Sequence, residues 1–343
     1  MKEKYGVLVV DDSAFMRKTI GVIIEENPNF YVIGKARNGI DAIEKIKRLQ
    51  PDIITLDIEM PELDGLETLQ VIMTEFPIPV VMLSNGAEST LEAFELGAVD
   101  FVIKESLIQE KNIEIKKDFY ERLFIAAKAK LPKPIVRTEK TMETTLTKKQ
   151  RSLKKQLILI GSSTGGPSAL QTILTRFPAD FDIPIVVVQH MPPGFTKPLA
   201  ERFNNLCQLH VKEAEHNEIL QKGTVYIAPA GLQTTIQKLD KDCYTIKLKI
   251  SSVIETLYKP SVDVTLLSVS HQTKDQLLTV ILTGMGDDGL RGCKSVKSHG
   301  GTILAESEET CIVYGMPKVV VEAGLVDKQV PLHLMFDRMM DIV

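Results

Sequence analysis

The sequence predicts an α/β protein built from two successive doubly wound units, and three observations carry that expectation. Over residues 1–104, short β-type apolar runs alternate with amphipathic stretches. A basic, proline-containing segment interrupts the alternation at 131–156. From Leu157 the alternation begins again and continues towards the C-terminus. Alternating β and α patterns of this kind imply a mostly parallel sheet covered on both faces.

In the first unit the strand runs are VLVV (7–10), YVIGKA (31–36), IITLDI (53–58), VVML (80–83) and FVI (101–103). Helical patterns lie between them. In GIDAIEKIKRL, Ile40, Ile43, Ile46 and Leu49 recur at helical spacing. A last helix is expected over 111–130. The segment 131–156 holds eight Lys or Arg against two Glu, with many Thr and no aromatic residues among the basic ones. That composition reads as a solvated, flexible interdomain linker rather than a nucleic-acid patch. In the second unit, LILIG, IPIVVVQH, TVYIAP, LLTVILTG and GTILAES read as strands. GPSALQTILTRF, FTKPLAERFNNL and PSVDVTLLSVSHQ read as helices, and YTIKLKI (244–250) is a candidate for a hairpin. The domain limits expected are therefore 1–130, a linker at 131–156, and 157–343.

Bulk properties narrow the function classes. A chain of 343 residues, 44% hydrophobic and 25% charged, suits two globular domains. A net charge of -4 gives no general attraction to nucleic acid or anionic membrane. The four cysteines, Cys207, Cys243, Cys293 and Cys311, form no CxxC pair, which argues against zinc and against a disulfide framework. No signal-peptide pattern and no apolar run of about 18 residues is found. A cytoplasmic, monomeric protein without membrane insertion or nucleic-acid binding is expected.

The first chemical constellation sits at strand ends. Asp11 and Asp12 follow the first strand, Asp57 ends the third, Ser84 the fourth and Lys104 the fifth. Asp12 by itself reads equally well as a helix cap. In a sheet of order 2-1-3-4-5 the first and third strands are neighbours, so their carboxyl ends converge. Three carboxylates together repel one another unless a cation joins them, and hard oxygen donors suit Mg2+. A carboxylate beside a metal ion and an ammonium is placed to attack a phosphoryl group.

With VLVVDDS, LDIEMPELDG, MLSNG and GAVDFVIK, residues 1–104 resemble the receiver domain of two-component response regulators, a flavodoxin-like (βα)5 fold. The resemblance implies that Asp57 accepts phosphate from a chemotaxis histidine kinase. It implies Mg2+ held by Asp12, Asp57 and the main-chain carbonyl of Glu59. It also implies a switch aromatic at Phe101. Two departures stand out. Glu105 occupies the position where the family usually has proline, and the hydroxyl is Ser84 where threonine is commoner.

The second constellation begins at GSSTG, a G-x-S-x-G match centred on Ser163 between a strand and a helix. Alone it is compatible with a plain turn, a phosphate cradle or a nucleophile. It lacks the lysine of a P-loop and the spacing of a dinucleotide fingerprint. A serine nucleophile needs a base. Of six histidines, His210, His216, His271, His299 and His333 lie in polar or helical surroundings. His190 instead ends IPIVVVQH, on the sheet edge where Ser163 is expected. An orienting carboxylate is available from Asp287 or Asp288 in LLTVILTGMGDDGL, where either also reads as a cap of the following helix. A nucleotide-binding module and a transcription regulator are the competing classes; no helix-turn-helix pattern supports the latter.

The order Ser…His…Asp departs from that of α/β-hydrolases. With LILIGSSTGGP, VVVQHMPPGFT, GTVYIAPAG, LLTVILTGMGDDGLRG and GTILAESEETCIVYGMP, the second unit resembles the catalytic domain of chemotaxis-specific protein-glutamate methylesterases. The resemblance assigns Ser163 as nucleophile, His190 as base and Asp288 as orienting acid, with Met285 N–H as oxyanion donor. It implies hydrolysis of glutamyl methyl esters on methyl-accepting chemoreceptors, with deamidation of receptor glutamines as a second activity, and no cofactor for the hydrolysis. An unphosphorylated receiver is expected to restrain the esterase by covering the Ser163 edge.

Overall fold

The computed structural model describes residues 4–108, 113–129, 155–240, 243–251 and 254–343. The chain divides at Leu131/Pro132 into two units. Most of the expected linker, residues 131–154, lies outside the described residues. Lys155 and Gln156 are described, and they are tied into the second unit. Lys155 Nζ donates to Asp275 O at 2.6 Å and Thr302 Oγ1 at 2.7 Å, while Gln156 N donates to Gln276 O at 2.9 Å.

The first unit runs β1 (Tyr5–Val10), α1 (Ala14–Glu26), β2 (Phe30–Ala36), α2 (Gly39–Leu49), β3 (Ile53–Asp57), α3 (Gly65–Glu75), β4 (Val80–Ser84), α4 (Ala87–Glu95), β5 (Asp100–Ile103), α5 (Lys104–Ile108) and α6 (Ile113–Lys128). Its five strands lie in the order β2-β1-β3-β4-β5, all parallel, which is the predicted order. Val7 to Val10 and Val80 to Leu83 are wholly buried. Such continuous apolar strands form because helices cover both faces, each buried side chain contributing about 1.5–3 kcal/mol. The stripe on α2 is rotated from its predicted centre. Ala42 and Ile46 face inward, whereas Ile40 is 48% exposed.

The second unit comprises β6 (Leu157–Ser162), α7 (Gly166–Leu174), β7 (Ile185–Gln189), α8 (Thr196–Leu206), β8 (His210–Glu213), β9 (Thr224–Ile227), β10 (Gln233–Asp240), β11 (Cys243–Lys249), α9 (Val262–Thr273), β12 (Leu277–Ile281), α10 (Leu290–Ser298), β13 (Thr302–Glu306), α11 (Met316–Glu322), β14 (Lys328–Val330) and α12 (Leu332–Met340). Seven strands form a parallel sheet in the order β14-β13-β12-β6-β7-β9-β8. The expected hairpin forms as the antiparallel pair β10–β11. Its Ile236, Tyr244 and Ile246 are buried in the same core as Leu157, Val186 and Leu266.

The short strands β8 and β14 escape sequence reading. They pair along one side at the sheet's edges, and only one residue of each is fully buried. The sheet's direction of winding reverses at β6. Strands after it build outward through β7 on one side, while β12 and its successors build on the other. The C-terminal ends of β12, β6 and β7 therefore stand side by side at a switch point, the place where open α/β sheets form their sites. No described helix is long and apolar enough to cross a membrane.

Candidate active site and carboxylate pocket

In the first unit, β1 and β3 pair directly, with Val10 opposite Leu56. This register delivers Asp11, Asp12 and Asp57 to one place, with one carboxylate oxygen of each within 4.8 Å of the others. Asp11 and Asp57 are buried and Asp12 is exposed. Lys104 Nζ stands 2.6 Å from Asp57 Oδ2 and 3.0 Å from Asp11 Oδ2. Burial, together with the Asp11 charge, pushes the Asp57 carboxyl up to about 6 although Lys104 pulls the other way. Asp11 Oδ1 accepts Ser13 N–H at 2.8 Å, while the buried Asp11 Oδ2 faces the Lys104 ammonium. Three converging acids against a single ammonium, one of them open to water, are a donor set that suits Mg2+.

The remaining predicted pocket residues are less convergent. Ser84 ends β4, but its hydroxyl donates to Gly86 O at 2.9 Å and accepts Gly86 N–H at 3.1 Å instead of facing Asp57. Phe101 is buried, edge-to-face with Phe94 at 5.8 Å, with the Arg122 guanidinium 6.0 Å from its ring. Glu59 lies two residues beyond Asp57, with its side chain exposed. Glu105 lies in the first turn of α5, and its N–H donates to Asn85 Oδ1 at 3.2 Å.

In the second unit, Ser163 follows β6, His190 follows β7 and Asp288 lies in the loop after β12. His190 Nε2 is 2.8 Å from Asp288 Oδ2. His190 Nδ1 is buried and has no partner. Among the described residues the Ser163 hydroxyl makes no hydrogen bond to the ring. The two residues are linked instead through their supports: His190 N donates to Ser162 O at 3.0 Å, and Gln189 Nε2 bridges Ser163 O (2.9 Å) and His190 O (3.0 Å). The other five histidines are exposed.

The serine turn is locked on every side. Ser163 N donates to Thr283 O at 3.1 Å and Ser163 O accepts Gly166 N–H at 2.8 Å. Gly165 takes φ +76°, and a Cβ at Gly166 would stand 2.0 Å from Gln189 Oε1. Buried Ser162 donates to that same Oε1 at 2.6 Å. The turn after β12 runs hard against the serine, since a Cβ on Gly284 would lie 2.8 Å from Ser163 Cβ. Met285 comes next, and its main-chain N–H makes no hydrogen bond among the described residues.

Asp288 does not cap the following helix, the alternative role its sequence position suggested. Its carboxylate instead accepts four hydrogen bonds, three of them from the start of the preceding helix α9. Ser261 Oγ (2.7 Å), Val262 N (2.7 Å), Asp263 N (3.0 Å) and His190 Nε2 (2.8 Å) all converge on it. A helix N-terminus favours a carboxylate electrostatically and by its free N–H groups. Burial raises the Asp288 pKa, but His190, through its hydrogen bond and charge, together with these donors holds the carboxyl below the usual range. Asp263 returns the arrangement, accepting Gly289 N–H at 3.0 Å and Gly292 N–H at 2.7 Å at the start of α10. Burial, with the Asp288 charge, pushes Asp263 up to about 6. Exposed Asp287 takes no part beyond its carbonyl, which accepts Leu290 N–H at 3.0 Å.

Sequence reasoning missed Ser162, Gln189, Tyr258, Ser261 and Asp263. The one available signal was the S-V-D triplet opening an apolar helix, which reads as an ordinary cap. Gln189 is hidden by its position inside a strand, and Tyr258 by lying in a loop that carries no recognisable motif.

Comparison with known proteins places each unit in a family. Residues 158–339 match the family model described as CheB methylesterase, and residues 7–116 match that of the response regulator receiver domain. A protein-glutamate methylesterase/protein-glutamine glutaminase of Oceanobacillus iheyensis is 43% identical, with 96% of each chain covered. One of the same description from Halalkalibacterium halodurans is 45% identical over 98% of each. The crystal structure of the Thermotoga maritima CheB methylesterase catalytic domain superposes with a TM-score of 0.53 at 43% identity, covering 56% of this chain and all of that one. The family matches over both units, and relatives 43–45% identical along nearly the whole chain, make the chain a member of the CheB methylesterase family.

Proposed function

We propose that this chain is a protein-glutamate methylesterase and protein-glutamine glutaminase whose activity is governed by phosphorylation of Asp57. The observation that carries the reading is the His190–Asp288 pair. Its 2.8 Å contact occupies Nε2 and leaves the buried Nδ1 unpaired. Asp288, fixed by three further donors, keeps the proton on Nε2 and so keeps Nδ1 basic.

In the forward step Ser163 Oγ attacks the ester carbonyl carbon and its proton passes to His190 Nδ1. The imidazolium is stabilised by Asp288, and the developing oxyanion takes a hydrogen bond from Met285 N–H. The C–O bond to the methoxy group breaks, Nδ1–H protonates that oxygen, and methanol leaves. Water, deprotonated by the same nitrogen, hydrolyses the acyl-serine and returns glutamate and free Ser163. A glutamine side chain follows the same course with ammonia as leaving group, where protonation by His190 matters more.

The substrate is a methylated chemoreceptor and the phosphodonor a chemotaxis histidine kinase. Asp12 and Asp57, with Asp11 alongside and the Glu59 carbonyl, would hold Mg2+, which offsets phosphoryl charge while Asp57 is modified. Hydrolysis itself needs no cofactor. Phosphate on Asp57 adds charge and acceptor oxygens that bias the receiver between two states, and the unphosphorylated state restrains the esterase. The protein works as a cytoplasmic monomer.

Methanol release from methylated receptor tests the whole reading. The intact chain should respond to phosphodonor and Mg2+, Asp57→Asn should not respond, and Ser163→Ala and His190→Ala should be inactive. Residues 150–343 alone should exceed the unphosphorylated chain. Full activity in Ser163→Ala would end the mechanism.

A further inference from the structure

We propose that Tyr258 is a positioning residue for His190: its ring, stacked face to face on the imidazole, holds the plane in which Nδ1 meets Ser163 and stabilises the imidazolium formed in each proton transfer. The inference deepens the esterase reading and rests on it.

The two rings lie 4.1 Å apart, centroid to centroid, at 4° from parallel. Asp288 holds the imidazole only by its Nε2 edge. A ring fixed through one edge still rotates about that contact, and swinging out of plane would carry Nδ1 away from the serine. The Tyr258 face removes that freedom. It also presents the negative side of an aromatic quadrupole to a ring that becomes cationic once in each half-reaction.

Tyr258 is itself held from both ends. Gln233, wholly buried, donates from Nε2 to Tyr258 O at 2.7 Å and accepts Ser261 N–H at 3.0 Å, tying the tyrosine to the start of α9 and so to the Asp288 cradle. Gly231 N donates to the neighbouring Lys259 O at 3.0 Å. At the far end of the ring the phenol oxygen comes so near Gly286, at φ +85°, that a Cβ there would be 2.8 Å away. Gly286 follows Met285, so one aromatic ring spans the distance between the base and the turn of the proposed oxyanion donor. Among the described residues, Asp288 meets the imidazole on its edge and Tyr258 on its face, with Asp263 behind Asp288.

The test is the pH dependence of methanol release by the full chain carrying Tyr258→Phe or Tyr258→Leu, with His190→Ala as control. Phenylalanine keeps the stacking face and should retain kcat/KM within about twofold. Leucine should lose roughly tenfold, the size of one desolvated aromatic–cation contact, in kcat and not in KM. Its acid limb should move to lower pH, because an unstacked imidazole gives up its proton more readily. Loss of folding alone would depress the rate without moving that limb, and circular dichroism with a urea melt reports the folded fraction. A leucine variant with unchanged rate and acid limb overturns the inference, as does a phenylalanine variant that behaves like leucine. An active His190→Ala would instead overturn the esterase mechanism, so the two failures are distinguishable.

Discussion

Replacing Asp288 by asparagine is the sharpest probe of the catalytic unit, because the shape is kept while one acceptor oxygen becomes a donor. Oδ2 takes hydrogen bonds from Val262 N and His190 Nε2, and Oδ1 takes them from Ser261 Oγ and Asp263 N. Whichever way the amide turns, its NH2 meets a main-chain N–H that cannot reverse. One buried donor is therefore left unsatisfied at about 1–3 kcal/mol, and the lost charge at the α9 N-terminus adds about 1 kcal/mol. Destabilisation of roughly 2–4 kcal/mol is expected in urea unfolding at pH 7. If the amide nitrogen faces the imidazole, His190 moves its proton to Nδ1 and cannot deprotonate Ser163. Loss of about a hundred- to ten-thousandfold in kcat follows. The pH dependence has a definite sign. Asp288 titrates below its unfolded range, so its stabilisation is complete above about pH 4 and disappears as pH falls through the lower folded value. The deficit of the asparagine variant should therefore shrink in acid. Methanol release with separate kcat and KM, alongside urea melts at pH 7 and pH 3, supplies both readouts. A variant within threefold of the parent in kcat, with an unchanged urea midpoint at pH 7, would refute the reasoning.

Gly166→Ala drives a Cβ into Gln189 Oε1; it should cost about 2–4 kcal/mol in urea unfolding and more than tenfold in kcat, as the Gln189 bonds to Ser163 and His190 break. Ser162→Ala removes only the hydroxyl that holds Gln189 and should cost about 1–2 kcal/mol, with a smaller fall in rate. In the receiver, Asp57 is held up to about 6, chiefly by burial. The penalty for its charge is absent below about pH 4 and complete above pH 6, so Asp57→Asn should stabilise the chain by about 1–2 kcal/mol at pH 8 and by less at pH 5. Calorimetry with and without Mg2+ should show stabilisation of the parent near pH 7 that Asp57→Asn loses; an equal shift in both would place the ion elsewhere.

Much of this protein was legible in its residues because strand-end positions are a local property. An apolar run followed at once by a polar residue marks the carboxyl end of a parallel strand, and VLVVDD, ITLD, ILIGSS and VVVQH each have that form. The alternation of two periodicities was enough to announce two wound units, and the order of their residues along the chain was enough to nominate Ser163, His190, Asp57, Lys104 and the Asp287–Asp288 pair, from which the family resemblance took Asp288. Strands with one paired side and little burial, such as β8 and β14, carry too weak a period to be seen.

What only the tertiary structure decided is how those groups are oriented and held. Sequence order cannot show that Asp288 meets Nε2 and leaves Nδ1 unpaired, nor that the Ser84 hydroxyl turns to Gly86. It cannot show that Asp263 and Asp288 each sit on the other's helix, or that Tyr258 lies flat on His190. Each of these is a contact between segments separated by about 25 to 100 residues or a choice of side-chain direction. Local periodicity reports which face of an element is buried; the hydrogen-bond geometry at a site follows from how distant elements pack against one another, and it exists only once they have done so.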